Sequence, residues 1–205
     1  MKSCILFFIC GLSSICFAGI TVGNGGNVIV CPDKTISLDL YEGQNQYFFK
    51  YQPQDHPWKD ILIQKMQGLS GLKKPNVEMF LKWIAEFDGE SQFVDADLGT
   101  IDDSYQMILP KNCSAVQAVI QQFSLLPGQK RYMLAETLWN RLSNWDKAAL
   151  VAHELSYRYL QQANSVNARY FTALIFSDDL KSISPTELQK KMDQLGFNES
   201  QTPVY

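Results

Sequence analysis

From residue 129 to residue 184 the chain contains neither glycine nor proline, and within that interval residues 144–160 carry its longest unbroken helical pattern. Ser143 followed three positions later by Asp146 has the form of a capping box, with the acid at the positive end of the helix dipole. At about 100° per residue, Trp145, Ala148, Ala149, Val151, Ala152, Leu155, Tyr159 and Leu160 share one broad apolar face. Lys147, Glu154, Arg158 and Gln161 fall on the opposite face, predicted to meet solvent, with Leu150, His153 and Tyr157 along the border. A helix of this length with one apolar face requires a partner layer, and the rest of the chain must supply it.

With 205 residues, 46% of them hydrophobic and 19% charged, the chain is long enough for one domain with a sizeable core. A formal charge of −3 and the lack of any Lys/Arg run argue against nucleic acid as a partner. The first eighteen residues differ in kind. Lys2 precedes a nearly continuous apolar stretch from Ile5 to Phe17, and Cys16-Phe17-Ala18 places small residues at −3 and −1 of a cut before Gly19. Residues 1–18 are therefore expected to be a secretory signal peptide, too short to span a membrane, leaving 19–205 as the mature domain with no transmembrane span. The expected location is the periplasm or the extracellular space. Three cysteines leave with that segment, and the remaining pair, Cys31 and Cys113, most simply forms a disulfide, the alternative being two buried thiols.

Along the mature chain, residues 20–31 read as two short strands about the turn Asn24-Gly25, and residues 36–41 alternate apolar and polar as in a strand with one wet face. Residues 42–54 have no clear period. Asp55 and Pro57 are expected to open a helix containing Ile61, Leu62 and Met66, and Asn76 to cap another with Val77, Phe80, Ile84 and Phe87. Residues 93–109 look strand-like with a turn at Asp102-Asp103, residues 115–123 fit a strand or a short helix, and residues 131–134 fit a strand. A short helix over 135–142 leads into the long one. Another helix follows from Ser165, packed back against it, with Arg158 or Arg169 bridging to Glu154 or to a backbone carbonyl. Ser184-Pro185-Thr186-Glu187 opens the last helix as a full capping box, and Gly196 closes it. The prediction is a single α+β domain with short N-terminal and central strands and a helical C-terminal half.

A resemblance is carried by several short motifs: Gly23-Asn24-Gly25-Gly26 leading to Cys31, Pro110-x-x-Cys113, Leu138-Trp139, Ala148-Ala149-Leu150, His153-Glu154-x-x-Tyr157-Arg158, and Ser165 with Arg169. In these the chain resembles a group of secreted bacterial proteins with no established activity. The resemblance implies export, the cysteine pair and the importance of the central helix, and it implies no reaction.

His153-Glu154 also invites comparison with the H-E-x-x-H helix, in which two histidines four apart hold zinc and the glutamate acts as general base. Here Tyr157 stands where the second histidine belongs, and the other histidine of the chain, His56, lies far away in sequence. A degenerate zincin-like metallohydrolase would need His153, Tyr157 and His56, with a carboxylate such as Asp39 or Glu42, around one zinc ion, and Glu154 as catalytic base. The competing expectation is structural: an exposed Glu154–Arg158 pair in the favourable i,i+4 order, His153 and Tyr157 half-buried, Arg158, Ser165 and Arg169 as stabilising groups, and no cofactor.

Overall fold

The computed structural model describes residues 21–22, 26–99, 108–122, 128–160 and 165–198. The expected signal peptide and the turns at Asn24-Gly25 and Asp102-Asp103 lie outside the described residues. In chain order the elements are β1 (Thr21–Val22), β2 (Asn27–Val30), β3 (Thr35–Ser37), α1 (Leu38–Gln46), α2 (Trp58–Gln67), α3 (Lys74–Glu90), β4 (Ser91–Val94), β5 (Ser114–Gln117), β6 (Val119–Gln122), β7 (Tyr132–Ala135), α4 (Glu136–Arg141), α5 (Asn144–Leu160), α6 (Val166–Phe176), a 3-10 turn (Asp178–Ser182) and α7 (Pro185–Gln194). The architecture is α+β in a single domain: three short strands, three helices, four more strands and a helical C-terminal part, so helices also separate the N-terminal strands from the central ones.

The strands form two small sheets, ordered β1-β6-β7-β4 and β3-β2-β5. All pairings are antiparallel except β4 with β7. This corrects the expected N-terminal hairpin: β1 pairs with β6 and β2 with β3 and β5, so the two segments join different sheets. The ambiguous stretch 115–123 resolves into two strands either side of Ala118, where the chain steps from one sheet to the other. The amide of Ala118 donates to the carbonyl of Gly26 and its own carbonyl accepts from Ala135, which ties the step to both sheets.

Residues 36–41 also differ from the strand expected of them. β3 stops at Ser37, whose amide donates to the Asp146 carboxylate rather than to a neighbouring strand, and α1 begins at Leu38. Alternation misleads here because α1 buries acids with its leucines: Leu38, Asp39, Leu40 and Glu42 are all inside. Two expected caps are replaced as well. Neither Asp55 nor Asn76 caps a helix: Pro57 and Lys73 hold those positions, and Asn76 donates to the carbonyl of Phe197. The capping box of α7 is present, with Ser184 accepting from the amide of Glu187.

The main core gathers Phe80, Phe87, Tyr132, Phe171, Phe176 and Phe197 around the apolar residues of α5. Phe171 and Phe197 stack with centroids 4.0 Å apart, so the segment after α7 is pinned to α6. Each such ring, fully withdrawn from water, contributes roughly 1.5–3 kcal/mol. A smaller cluster of Ile29, Cys31 and Leu38 lies under the Cys31–Cys113 disulfide, which joins residues 82 apart in sequence.

Candidate functional site

α5 is not a surface helix. Fourteen of its residues are buried, and it packs against α1, α2, α3, α6 and β3. Only Asn144, Lys147 and Arg158 are partly exposed. Its polar residues therefore face other elements, and Asp146, His153, Glu154 and Arg158 each meet a partner far away in sequence, while Lys147 lies over the ring of Trp139. The helix starts as its capping box predicts, with the amide of Asp146 donating to Ser143 Oγ and that hydroxyl donating back to the carboxylate. Asp146 is drawn further inward by the Ser37 amide, and burial pushes its carboxyl pKa up against these hydrogen bonds.

His153 is 2% exposed, and its Nδ1 lies 2.8 Å from Asp39 Oδ2 on α1. A carboxylate oxygen only accepts, so Nδ1 carries the proton. Burial pulls the imidazolium pKa down, but the Asp39 carboxylate more than offsets this and raises it to about 9. Nε2 is buried with no hydrogen-bond partner among the described residues.

Glu154 is fully buried, which overturns its expected place on the solvent face. One carboxylate oxygen accepts from the Gly26 amide and the other from Gln121 Nε2 at 3.2 Å, while that same amide group donates to the Glu154 carbonyl at 2.9 Å. Burial pushes the carboxyl pKa up; His153 and these donors hold it back in part. Gly26 must be glycine for this approach, since a Cβ there would run into Leu150 and the Glu154 carboxylate.

The expected Glu154–Arg158 and Glu154–Arg169 bridges are replaced by others. Arg158 reaches Glu90 at the end of α3, 2.7 Å away, with its guanidinium 4.2 Å over the ring of Trp83. Arg169 on α6 pairs with Glu42 on α1 at 2.8 Å and donates to Ser165 Oγ at 2.8 Å, all three being buried. Ser165 stands at the N-cap of α6, yet its hydroxyl serves the arginine rather than the helix end. α1 thus presents Asp39 and Glu42, one turn apart, to a histidine on α5 and an arginine on α6.

His153 and Tyr157 lie with rings nearly parallel, 8° between planes and centroids 6.4 Å apart. His56 is exposed ahead of α2, so the three residues named for zinc are not brought together. Among the described residues no group of three or more His, Cys, Asp or Glu side chains stands close enough to hold a metal ion. Sequence reasoning named Asp39 or Glu42 only as the carboxylate a zinc site would need; the structure sets Asp39 on His153 and Glu42 on Arg169 instead. Sequence reasoning also gave no role to Gly26, quoted only within the Gly23-Asn24-Gly25-Gly26 motif, and missed Gln121, one of two adjacent glutamines in β6.

Two of the surface clefts among the described residues bear on a binding role. One, of about 350 Å³, lies at the carboxyl ends of the parallel pair β4 and β7. The other, of about 490 Å³, opens between the start of α1 and residues 49–53, with Trp145 and Asp146 behind it. Neither is lined by His153, Glu154 or Tyr157. No family model, curated protein or solved structure matches the chain.

Proposed function

We propose that this is an exported globular protein with a non-catalytic structural or binding role, in the periplasm or envelope or outside the cell. The observation that carries this reading is the burial of His153 and Glu154 together, each spent on joining α5 to another element. A general base must reach a substrate or its water, and neither side chain lines either of the two clefts described above. The Cys31–Cys113 disulfide is compatible with an oxidising compartment, and no described helix is long and apolar enough to cross a membrane.

The test is elemental analysis of purified protein at neutral pH, alongside His153→Ala and the exposed-site variant His56→Ala. The expected result is no stoichiometric zinc in any of them, with His153→Ala less stable and His56→Ala unchanged in melting. One zinc per chain in the unsubstituted protein, lost on replacing either histidine, would overturn the reading in favour of the degenerate metallohydrolase.

A further inference from the structure

The cleft of about 490 Å³ has the size of a small-molecule site. Its walls are apolar and aromatic: Leu40 and Tyr41 from α1, Phe49 and Tyr51 from the segment after it, and Trp145 from α5. Two lysines, Lys34 from the turn ahead of β3 and Lys50 beyond α1, also line it. Among the described residues neither ammonium group forms an ion pair, although the chain as a whole carries a formal charge of −3. The one acid in the lining, Asp146, is turned to the Ser37 amide and the Ser143 hydroxyl, so its oxygens are already engaged.

The surrounding backbone is held at a cost. Phe48, next to the lining residue Phe49, has φ 56° and a ring 80% exposed, so it combines a left-handed backbone with no burial in return. The amide of Phe49 is fixed to the Gly43 carbonyl at 3.0 Å, and Tyr41 donates to the Ile108 carbonyl at 3.0 Å. Both sides of the opening are therefore tied down rather than loose. An aromatic-walled hollow with two exposed lysines along its lining, one of them also acting on the Asp146 carboxylate, suits a ligand that has a flat apolar body and a negative charge.

We infer that the cleft between α1 and residues 49–53 binds a small organic anion with an aromatic or otherwise flat apolar body, its charge met by Lys34 and Lys50. This narrows the binding role proposed above and rests on it. None of the residues named for zinc lines the cleft.

The probe is a ring series differing in charge alone: indole-3-acetate, the neutral indole-3-acetamide and the cationic tryptamine, titrated into isotope-labelled full-length protein and followed by amide NMR shifts. Saturable shifts are expected with indole-3-acetate at Lys34, Ile36, Tyr41, Lys50 and Tyr51, at least tenfold weaker binding of the acetamide, and none with tryptamine. The double variant Lys34→Ala/Lys50→Ala, both at exposed positions, should keep its melting temperature and lose affinity for the anion at least tenfold. Absence of saturable shifts, equal binding of tryptamine, or an unaltered affinity in the double variant would each overturn the assignment. Zinc found at His153 with this titration succeeding would sink the non-catalytic reading alone; no zinc with this titration failing would sink only the cleft.

Discussion

At the scale of single residues, the interior of this protein is held by charges whose partners come from distant parts of the chain. Arg169 and Glu42 are the clearest pair. Arg169→Ala should take its guanidinium partner from the buried Glu42 carboxylate and cost about 3–5 kcal/mol in urea unfolding, whereas Glu42→Gln with Arg169→Met should cost much less. Equal losses in the single and double variants would refute the pairing. His153 makes a pH prediction. Asp39 raises its folded pKa to about 9, above the ordinary value of 6.5, so the folded state binds the proton more tightly than the unfolded chain. The contribution is complete below about pH 6.5 and is lost as pH rises through about 9, a span worth roughly 3 kcal/mol. Melting temperature should fall across that window, and Asp39→Asn should flatten the fall. A profile of the unsubstituted protein that is already flat between those limits would mean that Asp39 does not hold the proton on His153.

At the scale of elements, α1, α5 and α6 form a packed trio, and Gly43 marks where α1 and α6 come closest. A Cβ at Gly43 would strike the Tyr51 hydroxyl and Ala173. Gly43→Ala should therefore destabilise by about 1–3 kcal/mol even though alanine is the better helix former; a gain in melting temperature would contradict the packing described. This trio also explains which elements could be read in advance. α2, α3 and α7 follow apolar periodicity, because each has a wet side and a dry side, whereas α6 is buried from Phe171 to Phe176 without a break and reads as an apolar run. Strands of two to four residues carry too few positions for a period of two to stand out, so β1 and β2 passed for a hairpin although they belong to different sheets. The central helix was located correctly and its environment was not. A helical wheel assumes one dry face, while α5 is enclosed by neighbours on nearly every side, and so Glu154, placed by the wheel in water, sits beside Gly26 and Gln121. Its lone histidine was legible as unusual, but its carboxylate partner follows from the approach of α1, which no local pattern encodes.

At the scale of the whole molecule, residues near the start of the described chain and residues near its end depend on one another. β2 is covered by β3 and β5, α1 by α5 and α6, and residues 71–76 by Phe197 and Asn198. Unfolding in urea should consequently be one transition, coincident by far-UV and near-UV circular dichroism; separated midpoints would show that the two sheets melt independently. Reducing Cys31–Cys113 should release the loop it closes and lower stability by up to roughly 4 kcal/mol on loop-entropy grounds, with the transition still single. No loss on reduction would mean that the remaining contacts already confine the unfolded chain.

The enclosure of α5 has a bearing on the order in which the protein can be made. A chain delivered from its amino end presents Gly26, Asp39 and Glu42 long before His153, Glu154 and Arg169 arrive to meet them. Until then the acids of α1 lack the basic partners that accompany them into the interior. Completion of the interior is thereby deferred until the last third of the chain has been made.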